Sequence, residues 1–530
     1  MLPPRTLLRV LPGRFGAIKH LHKRFSSTPA PNLVKMTTSA FKYLAIAGTV
    51  GAPCLWWLSN FQKKPTEKHE NLPRLDSPVT DQLVLPAGLS HEEVTSVLRK
   101  HAYSVNATTV PGVIRYDGAQ LAANSPCEDR FIHGSFPCPW NEENDESGRW
   151  MAWGIFDGHL GWQNADFLTK QLLPFVRRYL SQIPPSERSS IEAIHRAIRG
   201  AFTDLDKQLL STVFKTLNPN ASSPQPTPET ETCASNTTTA NTSKTEASPT
   251  IPLQDKVKAL TLAVTGSCAL LTLYDPQTSA LHVACTGDSR AILGQQDPYT
   301  REWDVAPLSI DQDISHNQSE IDRLNTQHPN EPNIVKNGRV FGMMVSRAFG
   351  DAQWKWSLET QKKLAKTYHG VQPFQKQEEY LSPPYLIAEP VVTSTKLDKG
   401  KNAILVMASD GLWYLTKNNR QVIDAVSAWV DGQSGLDKQE DNAKERKQYK
   451  PGFDFGKFVG KDSKEKKHGV EYLMDEKRMT VRDGNAAVHL IRNSLGGDHD
   501  ELLAGRVAYE APFARKVRDD VTVQVVFFER

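Results

Sequence analysis

Residues Met151 to Phe156 form an apolar run that stops at a carboxylate, Asp157, followed by Gly158 and His159. Such a run predicts a buried strand. From Gln163 to Leu180, the residues Phe167, Leu168, Leu172, Phe175, Val176 and Leu180 recur at helical spacing. Asp157 is therefore expected at the tip of a core strand just before a helix, a rigid place from which to hold a metal ion. Gly158 is expected to let the backbone turn sharply there. A single Asp-Gly pair is ordinary turn chemistry. Its recurrence is what carries weight. Asn402 to Ser409 is a second buried strand, and it ends at Asp410-Gly411. Asp129 precedes the short strand Arg130 to Gly134, and Asp519 precedes the strand Val521 to Phe528. If these strands pair in one or two sheets, their tips meet at one edge. Unpaired carboxylates gathered there repel one another. Hard divalent cations, Mg²⁺ or Mn²⁺, resolve that conflict with oxygen ligands. Two ions sharing a water would prime it for in-line attack on a phosphate ester. His159 titrates near working pH, which suits protonation of a leaving Ser or Thr oxygen.

The rest of the chain sets the frame for that edge. No Asp or Glu occurs before Glu67, while the same region carries ten Lys or Arg. Taking those ten from the formal charge of +3 leaves −7 for residues 67–530. A mildly acidic body argues against nucleic acid as its main partner. Residues 1–35 have the basic, acid-free composition of a mitochondrial presequence. Tyr43 to Gln62 is uncharged, with Trp56 and Trp57 near one end, and predicts a single inner-membrane anchor. Residues 63–81 read as a linker, and the globular body is expected over 82–530. Placement in the matrix or the intermembrane space depends on whether that anchor stops import. Two polar stretches, 216–255 and 434–482, predict disordered insertions. Between them, Lys258 to Leu273, Ser279 to Thr286 and Ser289 to Leu293 read as an antiparallel meander, and Arg339 to Ser346 as a further strand. The six cysteines show no Cys-x-x-Cys pair, hence neither a disulfide framework nor a zinc site.

Several stretches together resemble the metal-dependent type 2C protein Ser/Thr phosphatases. In order they are Glu128-Asp129, Asp157-Gly158-His159-x-Gly161, Gly266-Ser267-Cys268-Ala269, Gly287-Asp288-Ser289-Arg290, Ser346-Arg347-Ala348-Phe349-Gly350-Asp351, Ser409-Asp410-Gly411 and Asp519-Asp520-Val521-Thr522. The resemblance implies an α+β fold, a four-layer α-β-β-α sandwich of two antiparallel sheets flanked by helices. It implies two ions bridged by Asp157, with Asp410 and Asp519 on one and the Gly158 carbonyl on the other. Asp129 and Glu128 would act through bound waters, His159 as general acid, and Asp288 at a weaker third ion. Three departures stand out. Asn124 occupies the place of a phosphate-binding Arg, Asp520 that of a common Asn, and Cys268 that of a usual Thr. Tyr414 also replaces an acid that often supports the third ion. Leu121 to Arg130 and Arg518 to Thr522 are similar to the mitochondrial pyruvate dehydrogenase phosphatase branch. A phosphorylated protein, the E1 component of that complex, is the substrate this likeness implies. A non-catalytic, membrane-anchored scaffold of the same fold would be expected to lose the metal acids, and this chain keeps them.

Overall fold

The computed structural model describes residues 88–107, 109–141, 147–217, 251–368, 371–374, 377–436 and 473–528. In chain order its strands are β1 (Tyr103–Asn106), β2 (Val113–Leu121), β3 (Arg130–Phe136), β4 (Trp150–Phe156), β5 (Gly158–His159), β6 (Gly266–Ser267), β7 (Ala269–Asp275), β8 (Ala280–Thr286), β9 (Arg290–Gln296), β10 (Trp303–Pro307), β11 (Val335–Lys336), β12 (Arg339–Val340), β13 (Phe349–Gly350), β14 (Val391–Lys396), β15 (Asn402–Ala408) and β16 (Val521–Phe528). Eleven of them build two antiparallel sheets, ordered β1-β2-β16-β15-β9-β10 and β14-β8-β7-β4-β3.

The period-two alternation of each strand explains why these sheets stack. On β4, Met151, Trp153 and Ile155 point into one apolar cluster and Trp150, Ala152 and Phe156 into another. On β15, Ala403, Leu405 and Met407 share the first cluster with Trp153, while Ile404, Val406 and Ala408 face a third. The shared cluster is the seam between the sheets. The outer face of the β4 sheet is covered by the helices Gln163–Ser181 and Ile191–Leu217. The outer face of the β15 sheet is covered by the helices His91–Arg99, Asn419–Leu436, Ala486–Leu495 and Asp500–Ala508. The expected α-β-β-α sandwich is thus present. Trp153 is fully buried at the seam, and truncating such a residue to Ala costs about 3–5 kcal/mol.

Two of the helices on the outer face of the β15 sheet start at side-chain caps. Ser90 and Glu93 form a reciprocal capping box on His91–Arg99. Asn485 accepts from the Val488 N–H at the start of Ala486–Leu495.

Three expectations need correction. Lys258 to Val264 is not strand but the end of the helix Leu253–Val264, which buries Ala259, Leu260 and Ala263; the extended parts are the two-residue β6, Gly266–Ser267, and β7, Ala269–Asp275. Arg339 to Ser346 contributes only the two-residue β12, because Phe341 and Gly342 adopt positive φ of 46° and 93°. The edges of the expected insertions 216–255 and 434–482 are ordered structure. Helix runs to Leu217 and restarts at Leu253, and Met474 is buried in the core beside the Asn419–Leu436 helix. Residues 1–35, 43–62, 63–81, 218–250 and 437–472 lie outside the described residues. Among the described residues, no helix is long and apolar enough to cross a membrane.

Candidate active site

The predicted acids arrive at one end of the sandwich from both sheets. Asp129 leads into β3 and Asp157 follows β4, whereas Asp410 follows β15 by one residue and Asp519 precedes β16. Asp288 lies in the turn that carries the chain from β8 in one sheet to β9 in the other. Asp157, Asp288 and Asp410 each present an oxygen, and these oxygens lie within 4.8 Å of one another. Asp288, expected as a ligand of a weaker third ion, therefore shares this neighbourhood with Asp157.

The electrostatics are one-sided. Burial, and then the carboxylates of Asp129, Asp410, Asp288 and Asp519, push the Asp157 pKa well above the usual carboxylate range. Burial and the Asp520 charge do the same to Asp129, only partly offset by hydrogen bonds. Those bonds also join the sheets. One Asp129 oxygen accepts from Ser409 Oγ and from Thr522 Oγ1, each at 2.7 Å. Ser409 Oγ in turn accepts from the Thr522 N–H at 3.0 Å. The start of β3 is thereby tied to the end of β15 and the start of β16.

The two Asp-Gly pairs owe their glycines to close approach and not to the sharp turn expected. A Cβ on Gly158 would sit 2.5 Å from the Glu128 carbonyl oxygen, and one on Gly411 would sit 2.1 Å from the Asp520 carbonyl oxygen. Each glycine lets one acid-bearing loop press on another.

Asp520 anchors a loop. Its Oδ1 accepts from the N–H groups of Ala123 and Asn124, at 2.5 and 2.9 Å. Its Oδ2 accepts from the Glu128 N–H at 2.8 Å and from Asn124 Nδ2 at 3.0 Å. Asn124 Nδ2 also reaches Glu128 Oε2 at 3.1 Å. Two departures noted in the sequence therefore belong together. Four donors converge on both oxygens, and an Asn at 520 would turn an NH₂ group toward two of them. Cys268, the third departure, is buried and donates its thiol to Asp288 Oδ1 at 3.3 Å. Burial and the Asp288 and Asp157 charges raise its pKa well above normal, so it stays a neutral donor. Tyr414 caps the short helix Asp410–Trp413, its N–H bonding the Asp410 carbonyl.

His159 sits on β5, the edge of a small sheet ordered β13-β6-β5. Its Nε2 lies 2.7 Å from Asp351 Oδ2, and Asp351 is fully buried with φ of 50°. Burial pulls the His159 pKa down, but the Asp351 charge and hydrogen bond, with Asp288 and Glu128, outweigh it and hold the pKa raised. On the intervening strand, a Cβ at Gly266 would meet His159 Nε2 at 2.1 Å and Asp351 Oδ1 at 2.3 Å. The glycine is what gives the pair room. Below it, Asp206 accepts from the Gly350 N–H at 2.8 Å and pairs with Lys355 at 2.7 Å, fixing the strand that presents Asp351.

Sequence reasoning found the acids and His159 but gave no role to Asp351, Ser409, Thr522 or Arg515. Arg515 stands in the short 3₁₀ turn Ala514–Lys516 and contacts Asp519 at 3.0 Å and Glu128 at 3.6 Å. The Asp351 signal was available in part, because it closes the Ser346–Asp351 stretch already singled out.

Strand-end aspartates from two stacked antiparallel sheets, with a histidine on their rim, define a phosphatase of the 2C type. The protein phosphatase 2C profile matches residues 122–449, and the chain belongs to the protein phosphatase 2C family. It is accordingly a protein serine/threonine phosphatase. Over 428 residues it is 35% identical to a protein phosphatase 2C homolog of Schizosaccharomyces pombe, covering 79% of this chain and 81% of that one. It is 33% identical over 476 residues to the mitochondrial pyruvate dehydrogenase phosphatase 1 of Saccharomyces cerevisiae, covering 84% of this chain and 74% of that one. Against the human mitochondrial pyruvate dehydrogenase phosphatase 1 it is 29% identical over 508 residues, with 83% of each covered.

Proposed function

We propose that this phosphatase depends on Mg²⁺ or Mn²⁺ and acts in mitochondria on the phosphorylated E1 component of pyruvate dehydrogenase. The observation that carries the metal dependence is the clustering of Asp157, Asp288 and Asp410 oxygens within 4.8 Å. An all-oxygen set of carboxylates suits a hard divalent cation and leaves little reason for a softer one. Two ions held there would supply activation of a water and neutralisation of phosphoryl charge, with a third accommodated through Asp288.

In this reading Asp157, Asp410, Asp519 and the Gly158 carbonyl would hold the principal pair. Asp129, fixed by Ser409 and Thr522, and Glu128, fixed through Asn124, would orient water toward it. His159 delivers a proton to the departing Ser or Thr oxygen. The buried Asp351 keeps that imidazole oriented and favours its protonated form. Phosphate release from a phosphoserine peptide with Mn²⁺ tests the assignment. The expected result is loss of turnover in Asp157→Asn by at least about 10²-fold; equal rates would sink it.

The substrate reading is supported by the names of the yeast and human relatives and by the basic, acid-free stretch before Glu67. Deleting the gene is expected to leave E1 hyperphosphorylated, and unchanged E1 phosphorylation would count against it. Protease protection of mitochondria and mitoplasts is expected to place the phosphatase domain in the matrix, where that substrate would be within reach.

A further inference from the structure

Asp157, Asp288, Asp410, Asp519, Asp129 and Glu128 gather at one end of the fold. Two divalent ions would leave that group still negative, and a phosphomonoester brings further negative charge. Productive binding therefore calls for a fixed cation at the mouth of the cluster. The arginines nearby are mostly turned elsewhere. Arg130 donates to the carbonyls of Cys127 and Asp129 and stacks on Trp162 at 5.3 Å. Arg518 is buried and donates to the Tyr509 carbonyl at 3.0 Å. Arg115 pairs with Asp117 at 2.8 Å and lies over Trp429 at 5.3 Å, on the outer face of the β15 sheet.

Arg515 is different. Its Nη2 lies 3.0 Å from Asp519 and its Nη1 3.6 Å from Glu128, yet its side chain remains 44% exposed. It thus stands between the carboxylates and solvent, as a positive group that an incoming phosphoryl dianion would meet.

We propose that Arg515 is the phosphoryl-binding residue of this enzyme, using its guanidinium to grip the oxygens of the substrate phosphate beside the Asp519 carboxylate. The planar fork suits bidentate contact with phosphate. The inference rests on the phosphatase reading above, and binding and turnover are measured separately so that the two can fail separately.

The test uses the full chain with saturating Mn²⁺. The affinity for inorganic phosphate is read by calorimetry, and KM and kcat are read with a phosphoserine peptide. Arg515→Ala is expected to weaken phosphate binding and raise KM by about 10- to 100-fold, the scale of a lost charge-assisted contact. Arg515→Lys should recover part of that loss. Lys516→Ala removes the neighbouring cation, whose ammonium lies over the Phe513 ring at 5.2 Å, and should leave both values unchanged. Phosphate affinity and KM within twofold of wild type in Arg515→Ala would overturn the proposal. A shift confined to the Mn²⁺ requirement would overturn it too, making Arg515 a counter-ion to Asp519 only. An inert wild type that still binds phosphate through Arg515 would sink the phosphatase reading and uphold this one.

Discussion

Charge crowding at Asp157 predicts that its removal has opposite effects on stability with and without divalent ions. Asp157 shares a 4.8 Å neighbourhood with Asp288 and Asp410. At an effective dielectric of about 20, two unit charges at that distance repel by roughly 3 kcal/mol. Asp157 answers by favouring its protonated form, so the repulsion relieved by Asp157→Asn is smaller, about 1–3 kcal/mol. In chelator, the variant should therefore melt a few degrees above wild type. Saturating Mn²⁺ reverses the order. An ion at about 100 times its dissociation constant stabilises the native state by ~2.7 kcal/mol, and wild type should gain this while the variant, with one carboxylate of the cluster removed, should gain much less. The assay is thermal unfolding of both proteins in chelator and in a Mn²⁺ series. The reasoning fails if wild type is the more stable protein in chelator, or if Mn²⁺ raises both melting temperatures equally.

Two further outcomes follow from the same geometry. Asp351→Asn keeps a residue type that tolerates the positive φ but removes the charge beside His159. It should lower kcat by up to about 10²-fold. Because the Asp351 charge holds the His159 pKa up, its loss lets that pKa fall, and the protonated acid disappears at lower pH. The alkaline limb of the kcat profile should therefore move to lower pH, and an unmoved limb would remove Asp351 from the mechanism. Asp520→Asn should cost about 2–4 kcal/mol, since an NH₂ group would oppose the Glu128 N–H and the Asn124 amide. Denaturant unfolding measures it, and a variant as stable as wild type would refute the pairing of Asn124 with Asp520.

The acids were legible because each stands at or just beyond the end of an apolar strand, a boundary that hydrophobic patterning marks sharply. β16 was read to the residue for the same reason: Val521 to Phe528 is bounded by Asp519-Asp520 and by the charged Glu529-Arg530. Asp351 lay in a stretch already singled out, but its pairing with His159 was not legible. It depends on β5, β6 and β13, three two-residue strands from segments far apart in the chain, and no periodicity exists over two residues. Arg515 was hidden likewise, in a three-residue turn whose direction only tertiary packing sets. Leu253–Val264 was misread because its apolar residues run almost unbroken into β7, so helix and strand periods blur. β1 was missed since Tyr103–Asn106 alternates between half-buried and exposed, a weak edge-strand signal.

The position of β16 has a consequence for biogenesis. It lies between β2 and β15 in the six-stranded sheet, so the strand that is made late joins strands made early and late into one surface. Until it is inserted, that sheet is two unconnected pieces, and neither Asp519 nor Thr522 has reached its place. A chain in which β16 has not yet paired with β2 and β15 is thus expected to be silent, and activity to appear only once that strand is in place.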